Sequence, residues 1–319
     1  MPIRVLAATG GSTHSELALK LGAELAATRG AALTALTVVK EGDPAWKATG
    51  ILSHAREVLG ERLPAGSWRE ERRVGHPAEE IIAVAEEGNY DLVLLGERQH
   101  HRLMTRFFLG STAARVVEHA PCPVVVVKGR VGPIDRLLLC DSGVQEAPLV
   151  DQLVARLPEL LRGARAVTVL HVMSQMPAGP AVEDGSGLEA QAADLIAGQD
   201  ETGRVLSRDQ QLLSAVGVTP RLKVRHGLVA PELAAEAAEM GADLVVIGAH
   251  RGAGWRRILL SDLAHEILAT LDRPVLVMRA PGAADREDPD REDLDREVPV
   301  AVEPDREAGA EESDREAGA

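Results

Sequence analysis

Aromatic residues are almost missing from this chain: three Trp, two Phe and one Tyr in 319 residues. Its cores must therefore be aliphatic, and no cluster of rings offers a stacking platform for nucleic-acid bases. Cysteine is as scarce. Cys122 stands before a closing strand and Cys140 at the end of an opening one, a placement with no metal-ligand spacing, and both read as small buried apolar residues. No apolar run approaches the roughly 20 residues of a membrane helix. The chain enters a strand pattern straight after Met1, with no signal-like apolar region, so a cytoplasmic protein is expected. The patterns G-x-x-x-x-G-K-[ST], G-x-S-x-G and H-E-x-x-H are also lacking, and neither a catalytic constellation nor a metal site is expected. Excess positive charge is lacking too. The formal charge is −14, which disfavours a nucleic-acid partner.

Much of that negative charge is local. Residues 283–319 hold 15 of the 49 acidic residues and only 5 of the 35 basic ones. Asp-Arg-Glu recurs there, beginning at 285, 290, 295, 305 and 314. Such a segment has too little apolar surface to fold, and residues 281–319 read as a solubilising, disordered acidic tail.

What is present is alternation. Apolar runs at 3–8, 32–39, 90–96 and 123–128, and a polar, half-exposed stretch at 67–74, read as strands. Between them, 12–27, 54–62, 78–87 and 110–120 carry helical spacing. Ser15 is the expected N-cap of the first helix, and Ile81, Ile82 and Ala85 the expected inner face of the third. Strands alternating with helices mean βαβ units and a parallel sheet. The order then restarts, with strands expected at 136–140, 166–173, 220–225, 242–248 and 274–278. Helices are expected at 149–162, broken at Pro158, at 188–215 and at 227–240. Gly75 and Gly227, Asp91 and Asp243, and Gly96 and Gly248 are each 152 residues apart, and Pro123 and Pro274 are 151 apart. Arg4 pairs with Arg136, and Thr9 with Asp141. The same element order at a near-constant offset marks a duplication.

The stretch Tyr90-Asp-Leu-Val-Leu-Leu-Gly96 is the centre of the first half. It ends at a glycine, passes through a basic loop holding Arg98, His100, His101, Arg102 and Arg106, and reaches Gly110-Ser-Thr112 at the start of a helix. Backbone N–H groups and the helix dipole there favour an anion. The arginines either meet that anion or form an ordinary solvated loop.

These halves resemble tandem universal stress protein domains over about residues 1–280. The marks are Gly75-His-Pro-Ala-Glu-Glu80, Pro121-Cys-Pro-Val-Val-Val-Val127, Asp141-Ser142, Val169-Leu-His-Val-Met173 and Ala242-Asp-Leu-Val-Val-Ile-Gly248. The resemblance implies two domains, 1–128 and 134–280, joined by a linker at 129–133. It implies a doubly wound α/β fold, each domain a Rossmann-like five-stranded parallel sheet flanked by helices. ATP-binding members carry G-x2-G-x9-G-[ST], an Asp after strand one and a valine after strand two that meets adenine. Carried over, the first-half site is Thr9, Gly10, Val38, Gly96, Arg98, Gln99, Gly110, Ser111 and Thr112. Gln99 stands where the middle glycine belongs, the loop is one residue longer, and Thr9 or Gly10 replaces the Asp. The second-half site is Asp141, Val172, Gly248, His250, Arg251, Gly252 and Ser261, with Asp262 intruding at the helix start. The first half is the better site for ATP or another adenine nucleotide, with Mg accompanying it. The alternatives are a nucleotide-independent scaffold with no cofactor and, lower, a weak ATP hydrolase. The resemblance also implies that the halves pair through their last strands, at Val124–Val127 and residues 275–277, with a homodimer as a further expectation.

Overall fold

The computed structural model describes residues 2–97, 109–141, 148–173, 185–198, 200–249 and 262–278. The basic loop after Glu97, the loop at 250–261 and the acidic tail lie outside the described residues. The first half runs β1 (Arg4–Ala8), α1 (Thr13–Arg29), β2 (Ala32–Val39), α2 (Ala45–Gly60), β3 (Trp68–Val74), α3 (Pro77–Glu87), β4 (Leu92–Gly96), α4 (Ser111–His119) and β5 (Val124–Val127). The second half follows with β6 (Arg136–Cys140), α5 (Leu149–Arg156), α6 (Pro158–Arg162), β7 (Ala166–Met173), α7 (Gly185–Gly198), α8 (Glu201–Ala215), β8 (Arg221–His226), α9 (Val229–Glu239), β9 (Leu244–Gly248), α10 (Asp262–Thr270) and β10 (Val275–Met278).

The ten strands of the described residues form one sheet, in the order β3-β2-β1-β4-β5-β10-β9-β6-β7-β8. Every neighbouring pair is parallel except β5–β10. At that seam Val124 faces Val277, Val125 faces Leu276 and Val126 faces Val275. The seam was expected at these valine runs. Their alternation sends Val125 and Leu276 to one face of the sheet and Val124, Val126, Val275 and Val277 to the other. The two apolar cores are therefore shared between the halves rather than divided between them. Burying one such side chain stabilises by roughly 1.5–3 kcal/mol, so parting the halves would expose a costly, sticky edge.

Polar contacts reinforce the seam. Arg29 Nη2 donates to the Ile134 carbonyl at 2.7 Å, and the buried Lys128 ammonium donates to the Leu268 carbonyl of α10. Gly129 turns the chain at φ +61°, where a side chain would strike the Asp272 carbonyl. Residues Met1–Ala283 form one compact unit.

Three local readings change. Ser12, not Ser15, caps α1; Ser15 is the third helical residue and returns the contact, accepting the Ser12 N–H at 3.0 Å. On α3 the inner face is Ala78, Ile81, Val84 and Ala85, while Ile82 is half-buried. The helix expected at 188–215 is two, because Asp200 accepts the Gly203 N–H at 2.6 Å and starts α8 afresh. Pro158 does break the helix it stands in, separating α5 from α6.

Candidate functional site

In each half the strand order reverses where the first strand meets the fourth: β1 beside β4, and β6 beside β9. Ligands of such sheets bind outside the carboxyl ends of the strands at that point. Because the seam is antiparallel, the two candidate rims open on opposite edges of the sheet.

In the first half, Ala8 and Leu95 are neighbours in register, so the segments after β1 and β4 leave the sheet side by side. Thr9 follows β1 but points inward, only 4% exposed. Its hydroxyl lies 3.1 Å from Ser15 Oγ and accepts the Gly11 N–H at 3.2 Å, so it shapes the entry to α1. Gly10 is exposed, and Val38 is half-buried near the end of β2. Gly96 ends β4 against α1: a Cβ there would come within 1.9 Å of the His14 carbonyl. Its missing side chain lets helix and strand touch. Gly110 N-caps α4 and, having no side chain, supplies no side-chain cap to the first-turn N–H groups at Ser111 and Thr112. Ser111 is exposed and Thr112 half-buried. Arg98 and Gln99 lie outside the described residues.

Two residues that carry charge at this rim were not singled out from the sequence. The Glu97 carboxylate lies about a van der Waals contact from Gly110; a Cβ on that glycine would sit 3.2 Å from Glu97 Oε2. Lys128 directly follows β5 next door, since Gly96 pairs with Val127 and Glu97 N–H donates to the Val127 carbonyl at 3.0 Å. Burial pulls the Lys128 ammonium below its ordinary range, and the Glu97 charge works against that. The one available signal was a lysine directly after an all-valine run.

In the second half, Asp141 occupies the place of Thr9 and is 1% exposed. Its Oδ2 accepts the Leu149 N–H at 3.1 Å, which starts α5, and its backbone carbonyl accepts Nδ1–H of His171 at 2.9 Å. Val172 is half-buried, and Gly248 ends β9 beside Met278. α10 begins at Asp262. His250, Arg251, Gly252 and Ser261 lie outside the described residues. Among the described residues no three His, Cys, Asp or Glu side chains gather to hold a metal, and no helix is long and apolar enough to cross a membrane.

A model of the universal stress protein family matches residues 1–128 and again 134–279. The chain belongs to the universal stress protein family. A universal stress protein of Methanothermobacter thermautotrophicus is 38% identical over 71 residues, 22% of this chain and 47% of its own length. One from Methanocaldococcus jannaschii is 46% identical over 54 residues, 17% of this chain and 31% of its own length. The matches thus span about half or less of those curated relatives. Among solved structures, a universal stress protein of Archaeoglobus fulgidus superposes over 86% of this chain and 98% of its own, at 21% identity and TM-score 0.60. A functionally unknown protein of Pseudomonas aeruginosa PAO1 covers 86% and 92%, at 19% identity and TM-score 0.60. At those identities the likeness establishes the tandem universal stress fold alone.

Proposed function

We propose that this universal stress protein binds an adenine nucleotide, ATP foremost, at the rim of its first half, and acts through that binding rather than by turnover. The observation that carries the reading is the start of α4. Gly110, Ser111 and Thr112 bring N–H groups without a side-chain cap to the sheet's switch point. The second half opens its matching helix with Asp262, and it spends Asp141 on the start of α5. An acidic residue at a helix start disfavours a phosphate sharing that site. The adenine end is the weaker part, because Thr9 replaces an acid and is tied into the α1 entry. Magnesium would accompany the triphosphate and neutralise part of its charge.

Glu97 competes with a phosphate for the same space. That contact is what favours the second reading, a nucleotide-independent scaffold. Calorimetry with MgATP separates the two. Saturable heat is expected from the parent chain, and none from Gly110→Asp. Glu97→Gln should tighten binding by about two- to fivefold, the effect of about 0.3–1 kcal/mol at a helix N-terminus. No heat and no rise in melting temperature at millimolar MgATP would leave the scaffold reading in place.

A further inference from the structure

The first half differs from the second at the opposite edge of its sheet, where the strands begin. A cavity of about 480 Å³ opens there, lined by Arg4, Thr34, Trp68, Arg69 and Tyr90 among others. A second, of about 290 Å³, shares Arg4, Thr34, Arg69 and Tyr90 and reaches α3. In a chain with one Tyr and three Trp, two of those four rings line one hollow.

The duplication supplies an internal control. Thr34 pairs with Arg69 as Thr168 pairs with Arg221, so the backbone frame is the same in both halves. Arg4 and Arg136 both start a first strand, and each donates its backbone N–H to the matching aspartate, Asp91 at 2.7 Å and Asp243 at 2.8 Å. The side chains then part. Arg136 grips Asp243 with a fork, Nη2 to Oδ1 at 3.0 Å and Nε to Oδ2 at 3.3 Å. Arg4 instead lies over the Tyr90 ring, 5.2 Å from its centre. Tyr90 and Trp68 correspond to Ala242 and Pro220, so the rings that redirect Arg4 exist only in the first half.

The larger cavity is lined by two arginines and by no carboxylate, and the glutamates of the smaller one have arginine partners. Glu70 is held by Arg56 at 2.5 and 2.6 Å, and Glu71 and Glu87 are held by Arg73 at 2.9 and 2.5 Å. Asp91 accepts the Arg4 backbone N–H. Neither the Arg4 nor the Arg69 guanidinium has a carboxylate partner among the described residues. Both are exposed, while Trp68 and Tyr90 are half-buried and present ring surface to the hollow. Guanidinium groups recognise carboxylate or phosphate, and the rings supply apolar surface, Trp68 at the edge of one core and Tyr90 at the edge of the other.

We propose that this edge of the first half is a second ligand site, for a small planar aromatic ring bearing one anionic group, carboxylate or phosphate. It lies across the sheet from the nucleotide rim and does not depend on it. The test is a titration of the isotope-labelled full chain with 1-naphthoate, followed by backbone amide resonances. Saturable shifts are expected at residues 4, 68–69 and 90. Uncharged 1-naphthamide should bind about tenfold more weakly, and so should naphthoate to the Arg4→Gln/Arg69→Gln double variant. Tyr90→Ala, which copies Ala242, should weaken naphthoate as well. Its amide spectrum reports folding, and the exposed arginine variants carry the test if it does not fold. AMP distinguishes the anion: shifts at these residues identify phosphate as accepted, and their absence while naphthoate binds identifies a carboxylate site. Equal binding of naphthoate and naphthamide, unchanged binding by the double variant, or no saturable shift at about 10 mM naphthoate would overturn the proposal.

Discussion

Glu236→Ala is expected to destabilise the protein by about 3–5 kcal/mol, the cost of removing one partner from a buried ion pair. Glu236 is fully buried on α9. Its Oε1 accepts from Lys223 Nζ at 2.8 Å, and its Oε2 lies 2.9 Å from Arg225 Nη2. Both cationic side chains, on β8, are only 11% exposed. Arg225 would keep Glu232 and Glu239, but Lys223 would lose its one carboxylate contact among the described residues. The stranded ammonium sets the cost. The first half carries the apolar solution at the same place: Val84 corresponds to Glu236 and is 2% exposed, and Glu71 corresponds to Lys223 and pairs with Arg73. The double variant Lys223→Glu/Glu236→Val copies that arrangement and should recover at least half of the loss. Urea unfolding of the three proteins measures it. A single variant within about 0.5 kcal/mol of the parent, as a surface change would be, contradicts the buried network.

Stability should fall as pH rises from about 4 to about 8, and Asp209 is the cause. It is fully buried on α8, and neither carboxylate oxygen has a hydrogen-bond partner among the described residues. Burial raises its pKa to about 8, helped by the charges of Asp141 and Asp151 and opposed by Arg208. The folded protein therefore holds a proton that the unfolded chain, with its carboxyl near 3.8, has released. Its contribution is complete below that value and disappears as pH climbs through the folded pKa. The slope is about −1.4 kcal/mol per pH unit within the window, a loss of up to roughly 5 kcal/mol by its upper end. Asp209→Asn removes the titrating group. The variant should match the parent near pH 4 and exceed it by several kcal/mol near pH 8, read from urea midpoints at both pH values. Parallel pH profiles for the two proteins would refute the assignment.

Both groups explain what the sequence could and could not disclose. The strands were legible because buried parallel strands are apolar on both faces: Leu92 and Leu94 face one core, Val93 and Leu95 the other. The seam was expected from the family resemblance, the valine runs being apolar enough to form it, and its antiparallel sense comes only from the fold. Asp209 and Glu236 were not legible. On α9, Glu232, Glu236 and Glu239 recur at helical spacing and look like a solvated stripe, yet they meet Arg225 on the neighbouring strand. Only the fold brings a charged strand residue under that stripe. The early part of α2 was missed for a local reason. Pro44 stands at its N-cap, exposed Trp46 and Gly50 follow, and the first buried residue is the small Ala48.

At the candidate rim the glycines were readable and their uses were not. Gly96 reads as room for a phosphate, but the space beside it is taken by the first turn of α1. Gly110 keeps the α4 start free of a side-chain cap, but Glu97 reaches the same place from the end of β4. That approach depends on β4 and α4 meeting across a loop whose length the sequence gives and whose path it does not. Thr9 and Asp141 match by offset, and both prove to be local organisers of the segment that follows the first strand.

The most direct measurement is a titration of the full chain with MgATP followed by backbone amide resonances in both halves at once. Saturable shifts are predicted at Gly110, Ser111 and Thr112, with Leu263 and Ala264 in the first turn of α10 unmoved. Shifts in that turn of α10, with the start of α4 silent, would contradict the account.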